Sequence, residues 1–161
     1  MKCRSKKADR PVDLDPKEPI RFVLNFEPEP PRTTHQEKKF GGVAKDGTPI
    51  FYFPPDLANA RSLLKAKLAK FAPPLPWKCP IQLTVEWTFL RPKSAKSVWM
   101  TRTPDTDNLQ KMLKDVMTEL GFWFDDSYVC IEVVSKVQHD PDEKHGVAIS
   151  IINLNRKDYT K

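Results

Sequence analysis

The sequence predicts a single α+β domain in which two principal helices pack on a mixed β-sheet. Several stretches alternate apolar and polar residues, which is typical of strands with one buried face. Two other stretches repeat apolar residues at helical spacing. The chain has 161 residues, 39% of them hydrophobic, which is enough to bury one core. We predict the order β, loop, short β, α, β, α, β, β over residues 20–155, with no internal repeat.

The first predicted strand covers residues 20–26, where large apolar residues alternate with polar ones. The segment after Pro28 is proline-rich and then basic. It is predicted to be a loop that either contacts phosphate or forms an ordinary surface connection. An Asp-Gly pair at 46–47 is a turn signal, so residues 48–53 are expected to form a short hairpin strand with residues near Val43.

The first predicted helix follows two prolines, with Asp56 as its N-cap. Its buried stripe comprises Leu57, Ala60, Leu64, Leu68 and Phe71. Cations on its other faces either face a polyanion or are simply solvated.

The second predicted helix covers about residues 107–120, with Asp107 as N-cap and Gly121 as its stop. Its buried stripe comprises Leu109, Met112, Leu113, Val116, Met117 and Leu120. The opposite face presents Asp107, Lys111 and Asp115, at intervals of four residues. One face therefore packs and the other carries charge.

Three further strands are predicted. Residues 81–89 alternate most regularly and are expected to have one face in the core. Residues 129–137 and 147–154 flank a polar loop, which predicts that these two strands pair as an antiparallel hairpin.

Composition limits the remaining possibilities. Residues 1–19 are predicted to be a mobile basic tail and residues 156–161 a polar tail. No apolar run is long enough to span a membrane and no signal peptide is recognised, so we expect a cytoplasmic protein. Three scattered cysteines and three scattered histidines predict reduced thiols and no zinc site. The net charge of +6 favours a polyanionic partner, although many soluble proteins are mildly basic.

Carboxylates stand at both ends of the second helix. Asp105 and Asp107 open it, whereas Asp125 and Asp126 follow three aromatic residues that are expected to dock the returning chain. Clustered carboxylates repel one another unless a cation sits between them, and such hard oxygen ligands suit Mg²⁺ or Mn²⁺. The alternative is that Asp107 and Asp115 form ordinary exposed ion pairs with Lys111 and that Asp105 is an ordinary turn residue.

The full pattern of this region resembles the RusA-type Holliday junction resolvases, small metal-dependent endonucleases of phages and prophages. The matching residues are Asp105, Asp107, Asn108, Lys111, Asp115, Gly121, Phe122, Trp123, Asp125 and Asp126. The resemblance implies a RusA-like nuclease domain over residues 20–155. It also implies that Asp105, Asp107 and Asp126 hold Mg²⁺, with Mn²⁺ as the alternative metal, while Lys111 serves the scissile phosphate. Asn108, Asp115 and Asp125 are assigned supporting roles.

The basic loop that leads into Asp105 is the best placed to hold a phosphate backbone. Its predicted DNA-binding residues, together with Lys111, are Arg91, Lys93, Lys96 and Arg102. Trp99 in the same loop either stacks on an unpaired base or covers the edge of the core.

The predicted function is Mg²⁺-dependent resolution of four-way (Holliday) DNA junctions by paired symmetric nicks, in DNA recombination and repair. The resemblance implies a homodimer, since two symmetric cuts are most simply made by two copies of one site. The alternatives are a non-catalytic structure-specific DNA-binding protein, a general metal-dependent nuclease, or an Asp-x-Asp enzyme acting on a nucleotide sugar or phosphate ester. The N-terminal extension and the long first loop depart from the family pattern.

Overall fold

The computed structural model describes residues 18–33, 39–52 and 54–155. The strands are β1 (Ile20–Phe26), β2 (Lys39–Val43), β3 (Pro49–Tyr52), β4 (Ile81–Leu90), β5 (Val129–His139) and β6 (His145–Asn153). The helices are α1 (Pro55–Leu68) and α2 (Thr106–Glu119), with short 3₁₀ turns at Ala69–Phe71 and Asp126–Tyr128. The predicted α+β class and element order are confirmed. Residues 1–17 and 156–161 lie outside the described residues, so the predicted tails stay predictions.

The main sheet has four strands in the order β1-β6-β4-β5. Strands β4 and β5 are parallel, whereas β6 runs antiparallel to both β1 and β4, so the sheet is mixed as predicted. Both helices contribute to one buried cluster with the apolar face of this sheet. In the centre of that face lie Ile81, Leu83, Val85, Trp87 and Phe89 of β4, all buried.

The predicted hairpin between the last two strands is wrong. Strand β5 pairs with β4 and not with β6 among the described residues, and β6 pairs on the other edge of β4. The physical reason is the helix between β4 and β5, since a helical crossover joins strands that run parallel. Residues 140–144 then carry the chain past the end of β4, where the Arg91 amide donates to the His139 carbonyl over 2.7 Å. This arrangement satisfies the backbone groups on both edges of the most deeply buried strand.

Both helices begin differently from the prediction. The N-cap of α1 is Pro54, and Asp56 lies within the first turn. Pro55 occupies the start of the helix, where the missing N–H of proline is least costly. The N-cap of α2 is Asp105, and Asp107 lies in the first turn, where its charge is favourable beside the helix dipole. Asp107 is therefore free of a capping role and faces outward.

The apolar stripes of both helices are buried as predicted, with Phe71 and Leu120 at their ends partly buried. Gly121 follows Leu120, the C-cap of α2, and has a φ of 75°, the left-handed conformation that glycine adopts most easily. Of the three aromatic residues that follow, Phe122 and Trp123 are buried, but Phe124 is 61% exposed. The Trp77 amide donates to Phe122 O at 3.2 Å, and the Phe124 amide donates to Trp77 O at 3.0 Å. These bonds dock the returning chain and carry it directly into β5.

A separate two-stranded sheet is formed by β2 and β3, as the turn signal predicted. The Thr48 amide donates to Asp46 Oδ1 over 3.0 Å, and Gly47 takes a φ of 87°. Residue 53, predicted as the end of this strand, lies outside the described residues. Among the described parts of the chain, no helix combines the length and apolar character needed to cross a membrane.

Candidate functional site

The charged face of α2 lines an open cleft of about 560 Å³. The helix residues on this cleft are Thr106, Asp107, Gln110, Lys111, Lys114 and Asp115. Asp126 closes one side of the cleft, and Glu132 and Val134 of β5 lie on another. The helix and the turn after it thus bring two predicted site aspartates, Asp107 and Asp126, to the same cleft as Lys111.

The two aspartates of the second acidic pair have different environments. Asp125 Oδ1 accepts a hydrogen bond of 3.0 Å from the Ser127 amide and caps the 3₁₀ turn. Hydrogen bonds from the Ser127 hydroxyl and amide lower the pKa of Asp125 below its ordinary value. Asp126, the next residue, is exposed and lines the cleft. The supporting role predicted for Asp125 stays a prediction.

Asp105 stands just outside the residues that line the cleft. Its carbonyl oxygen accepts the first helical hydrogen bond, from the Leu109 amide, over 3.1 Å. Its carboxylate interacts electrostatically with Lys136 of β5. Burial lowers the pKa of Lys136, and this effect exceeds the opposing effect of the Asp105 charge. The structure thus places near Asp105 a cation that sequence reasoning did not identify.

A second group that sequence reasoning missed connects the cleft to the core. The buried Trp87 indole donates to Gln110 Oε1 over 3.3 Å, and Gln110 Nε2 donates to Glu132 Oε1 over 2.7 Å. Lys114 Nζ contacts the other Glu132 oxygen at 3.0 Å. Helical spacing places Lys114 on the face of Asp107 and Lys111, so it was predictable. Glu132 was not, because its position depends on how β5 packs beside α2.

The predicted DNA-binding residues differ in their exposure and in the contacts they already make within the protein. Arg91 forms a bidentate ion pair with Asp140, with Nε 2.9 Å from Oδ1. Arg102 is exposed, and its guanidinium donates to Gln138 Oε1 over 3.2 Å. Lys93 and Lys96 are exposed on the same loop. Trp99 is 60% exposed, whereas the next residue, Met100, is buried. The alternative in which Trp99 covers the edge of the core is therefore wrong.

The cations of α1 are partly engaged within the protein. Arg61 and Lys65 both pair with Glu119 of α2, the latter at 3.4 Å. The Lys67 ammonium lies 4.9 Å from the centre of the Phe26 ring. These contacts join α1 to α2 and to the sheet.

The donor chemistry of the cleft fits a hard divalent cation. Asp107, Asp115 and Asp126 all supply carboxylate oxygens to its lining. Within the described residues, no three carboxylate, imidazole or thiol groups stand close enough to hold one ion jointly. Like-charged carboxylates separate when no cation lies between them, so side-chain rotation toward an ion is the expected response to binding.

Comparisons with known proteins show the family to which the chain belongs. The family described as "Endodeoxyribonuclease RusA" matches residues 25–152 of the chain. The chain is 33% identical over 138 residues to a protein of Lactococcus phage r1t named "Crossover junction endodeoxyribonuclease rusA". That match covers 84% of this chain and 100% of the relative. The chain therefore belongs to the RusA family of endodeoxyribonucleases, enzymes that hydrolyse phosphodiester bonds within DNA.

Proposed function

We propose that the protein resolves four-way DNA junctions by Mg²⁺-dependent, paired and symmetric nicks, in DNA recombination and repair within the cytoplasm. The observation that carries this proposal is the cleft on α2, where Asp107, Asp126 and Lys111 lie together in a member of the RusA family. The name of the phage relative supports the junction as substrate. Mn²⁺ has similar ligand preferences and is the alternative metal.

The residues of the cleft match the requirements of phosphodiester hydrolysis. Asp105, Asp107 and Asp126 would hold the ion, which when bound lowers the pKa of an attacking water and neutralises phosphate charge. Lys111 lies beside these acids and places its ammonium where negative charge develops on the phosphoryl oxygens. Asn108 is buried and Asp125 caps the following turn, so both support the position of the acids. Asp115 adds a third carboxylate to the cleft wall.

The loop from Arg91 to Thr103 is proposed to hold the DNA backbone beside this cleft. Lys93, Lys96 and Arg102 are exposed there and supply positive charge for phosphate contacts. Arg91 forms an ion pair with Asp140. To contact DNA, the Arg91 guanidinium must either bind a phosphate and Asp140 together or release Asp140. The exposed Trp99 ring is available to stack on a base that is unpaired at the branch point.

A homodimer is the proposed working unit. A four-way junction has two strands of like polarity that must be cut symmetrically, and two copies of one site related by a two-fold axis meet that requirement. Sedimentation of the free protein and of its junction complex would measure the number of copies present.

The test compares a synthetic four-way junction with a linear duplex of the same sequence, each with and without Mg²⁺. We expect symmetric nicks in the junction only, dependent on the metal. Asp107→Asn should abolish cutting while junction affinity is retained, because the side chain keeps its size and loses its charge.

Other outcomes separate the alternatives. Equal cutting of the linear duplex would identify a general metal-dependent nuclease. Tight junction binding without nicks, unchanged by Asp107→Asn, would identify a non-catalytic DNA-binding protein.

A further inference from the structure

Two neighbouring side chains of β5, Lys136 and Gln138, hold the loop that connects β4 to α2. That loop contains the basic residues proposed to bind DNA and ends at Asp105. We propose that these two are positioning residues with separate tasks: Lys136 sets the metal-binding carboxylates, and Gln138 sets the DNA-binding loop. The assignment rests on the proposed function of the same site.

Lys136 acts at the end of the loop nearest α2. Its ammonium donates to the carbonyl oxygens of Arg102, at 2.8 Å, and of Pro104, at 2.6 Å. Pro104 directly precedes Asp105, which is the N-cap of α2. Fixing these two carbonyls therefore fixes the direction in which the chain enters the helix, and with it the positions of the Asp105 and Asp107 side chains.

Gln138 acts at the middle of the loop. It is only 3% exposed, and its amide nitrogen donates to the carbonyls of Ser97, at 2.8 Å, and Trp99, at 3.4 Å. Its amide oxygen accepts from Arg102 Nη2 at 3.2 Å. The backbone adds two bonds, from the Gln138 amide to Val98 O at 2.8 Å and from the Met100 amide to Lys136 O at 3.2 Å. The backbone that carries the exposed Trp99 ring is thus held by hydrogen bonds from β5.

The choice of residue types indicates a role beyond packing. A half-buried ammonium loses hydration, and an apolar side chain of similar length would pack at the same place without that loss. Lysine instead supplies three donors and a positive charge beside Asp105. When catalytic groups are displaced by about 1 Å, the reaction slows on the order of a hundredfold. The hydrogen bonds that Lys136 makes just before Asp105 therefore affect turnover directly.

The first variant is Lys136→Met, which keeps the length of the side chain and removes its donors and charge. We expect cleavage of pre-bound junction to slow by about tenfold to a hundredfold. The Mg²⁺ concentration for half-maximal cleavage should rise. Junction affinity measured without metal should stay within about twofold, because the loop itself remains attached through Gln138.

The second variant is Gln138→Leu, which keeps the volume of a buried side chain. We expect the opposite pattern: junction affinity weakens by about fivefold, the scale of one or two lost hydrogen bonds. Cleavage of junction bound at saturating protein should stay close to that of the unaltered protein. Lys45→Met, in the exposed turn before β3, is the matched control for losing one lysine.

A readout independent of activity is amide hydrogen exchange in the segment from 97 to 109. Lys136→Met should speed exchange near residues 105–109, and Gln138→Leu should speed it near 98–100. If Lys136→Met does not fold, Lys136→Gln takes its place, since it keeps a donor without the charge.

The proposal is overturned if the two variants lose affinity and turnover in parallel with melting temperature, which is what a merely structural role predicts. It is also overturned if Lys136→Met cuts with unaltered rate and Mg²⁺ dependence. If the unaltered protein itself does not nick junctions with Mg²⁺, the proposed function fails, and the exchange measurement still decides whether the two side chains hold the loop as described.

Discussion

Two adjacent aspartates, Asp125 and Asp126, differ in what their carboxylates do: the first caps a turn and the second lines the cleft. Asp125 turns its carboxylate back onto the Ser127 amide, while Asp126 faces the cleft that also contains Asp107 and Lys111. The sequence predicted an acidic pair here and, through the family resemblance, placed the second acid at the metal. Which acid caps the turn was not readable, because that depends on backbone angles around Ser127.

This difference predicts opposite effects of the same substitution. Asp125→Ala should lower the melting temperature by about the amount that loss of a helix cap produces, with cleavage of bound junction largely kept. Asp126→Ala should leave the melting temperature unchanged or slightly raised and slow cleavage by at least about a hundredfold. Thermal unfolding and single-turnover cleavage of both variants measure the contrast. Equal losses of activity in both variants would contradict the separation of roles.

At the scale of elements, helices were more predictable than strand pairing. The apolar stripe of α2 follows a local period of 3.6 residues, so its buried face could be read from the sequence. Its first residue was misplaced because either Asp105 or Asp107 is a suitable N-cap. The partner of each strand, by contrast, is a choice among distant segments that alternate equally well. The position of β6 between β1 and β4 could therefore be seen only in the structure.

The close packing of β6 against β1 makes Gly146 a sensitive position. A Cβ added to Gly146 would lie well inside van der Waals contact with the Leu24 carbonyl oxygen, a backbone atom that cannot turn aside. Gly146→Ala should therefore lower the free energy of unfolding by about 1–3 kcal/mol or more, as overpacking does. Ser150→Ala, farther along β6, is the control and should stay within about 0.5 kcal/mol. Urea unfolding measures both, and a Gly146→Ala variant as stable as the control would show that β1 can shift.

At the scale of the whole molecule, the class, the order of elements and the acidic helix were predictable, while the assembly of the cleft was not. Asp107, Lys111 and Asp115 share a face by helical geometry alone. The positions of Glu132 beside that face and of Lys136 at the entry to the helix follow from the parallel pairing of β4 with β5, which no local pattern specifies. Sequence reasoning therefore predicted the acids and missed Glu132 and Lys136, which contact α2 and the chain that enters it.

The Glu29 carboxylate joins residues that are far apart in the sequence, and its ionisation makes the stability of the protein depend on pH. Glu29 accepts from the Leu90 amide over 2.9 Å and from Arg32 Nε over 2.7 Å, with its side chain 19% exposed. Burial alone would raise the pKa of Glu29, but the hydrogen bonds from Arg32 and from the Leu90 amide, together with the positive charge of Arg32, hold it below its ordinary value. The stabilisation is therefore present above about pH 4.5 and is lost as the pH falls through the lowered pKa.

Glu29→Gln should thus lower the free energy of unfolding by about 1 kcal/mol near pH 7 and by progressively less as the solution is acidified below pH 4.5. Glu27→Gln, at an exposed position two residues earlier, is the control. Denaturant unfolding at several pH values gives the difference between each variant and the unaltered protein. A difference for Glu29→Gln that does not change with pH would mean that packing, not charge, provides the contribution.

The pairing of β1 with β6 also limits how early the main sheet can be completed during synthesis of the chain. Strand β6 fills the gap between β1 and β4, so the ribosome must release residue 153 before the sheet can be completed. Until then β1 has no hydrogen-bonded neighbour in the main sheet, and the scaffold under α2 is open on one side. A nascent chain that already contains Asp105, Asp107 and Asp126 but lacks β6 is therefore expected not to cut DNA, with nuclease activity beginning only after translation has passed the final strand.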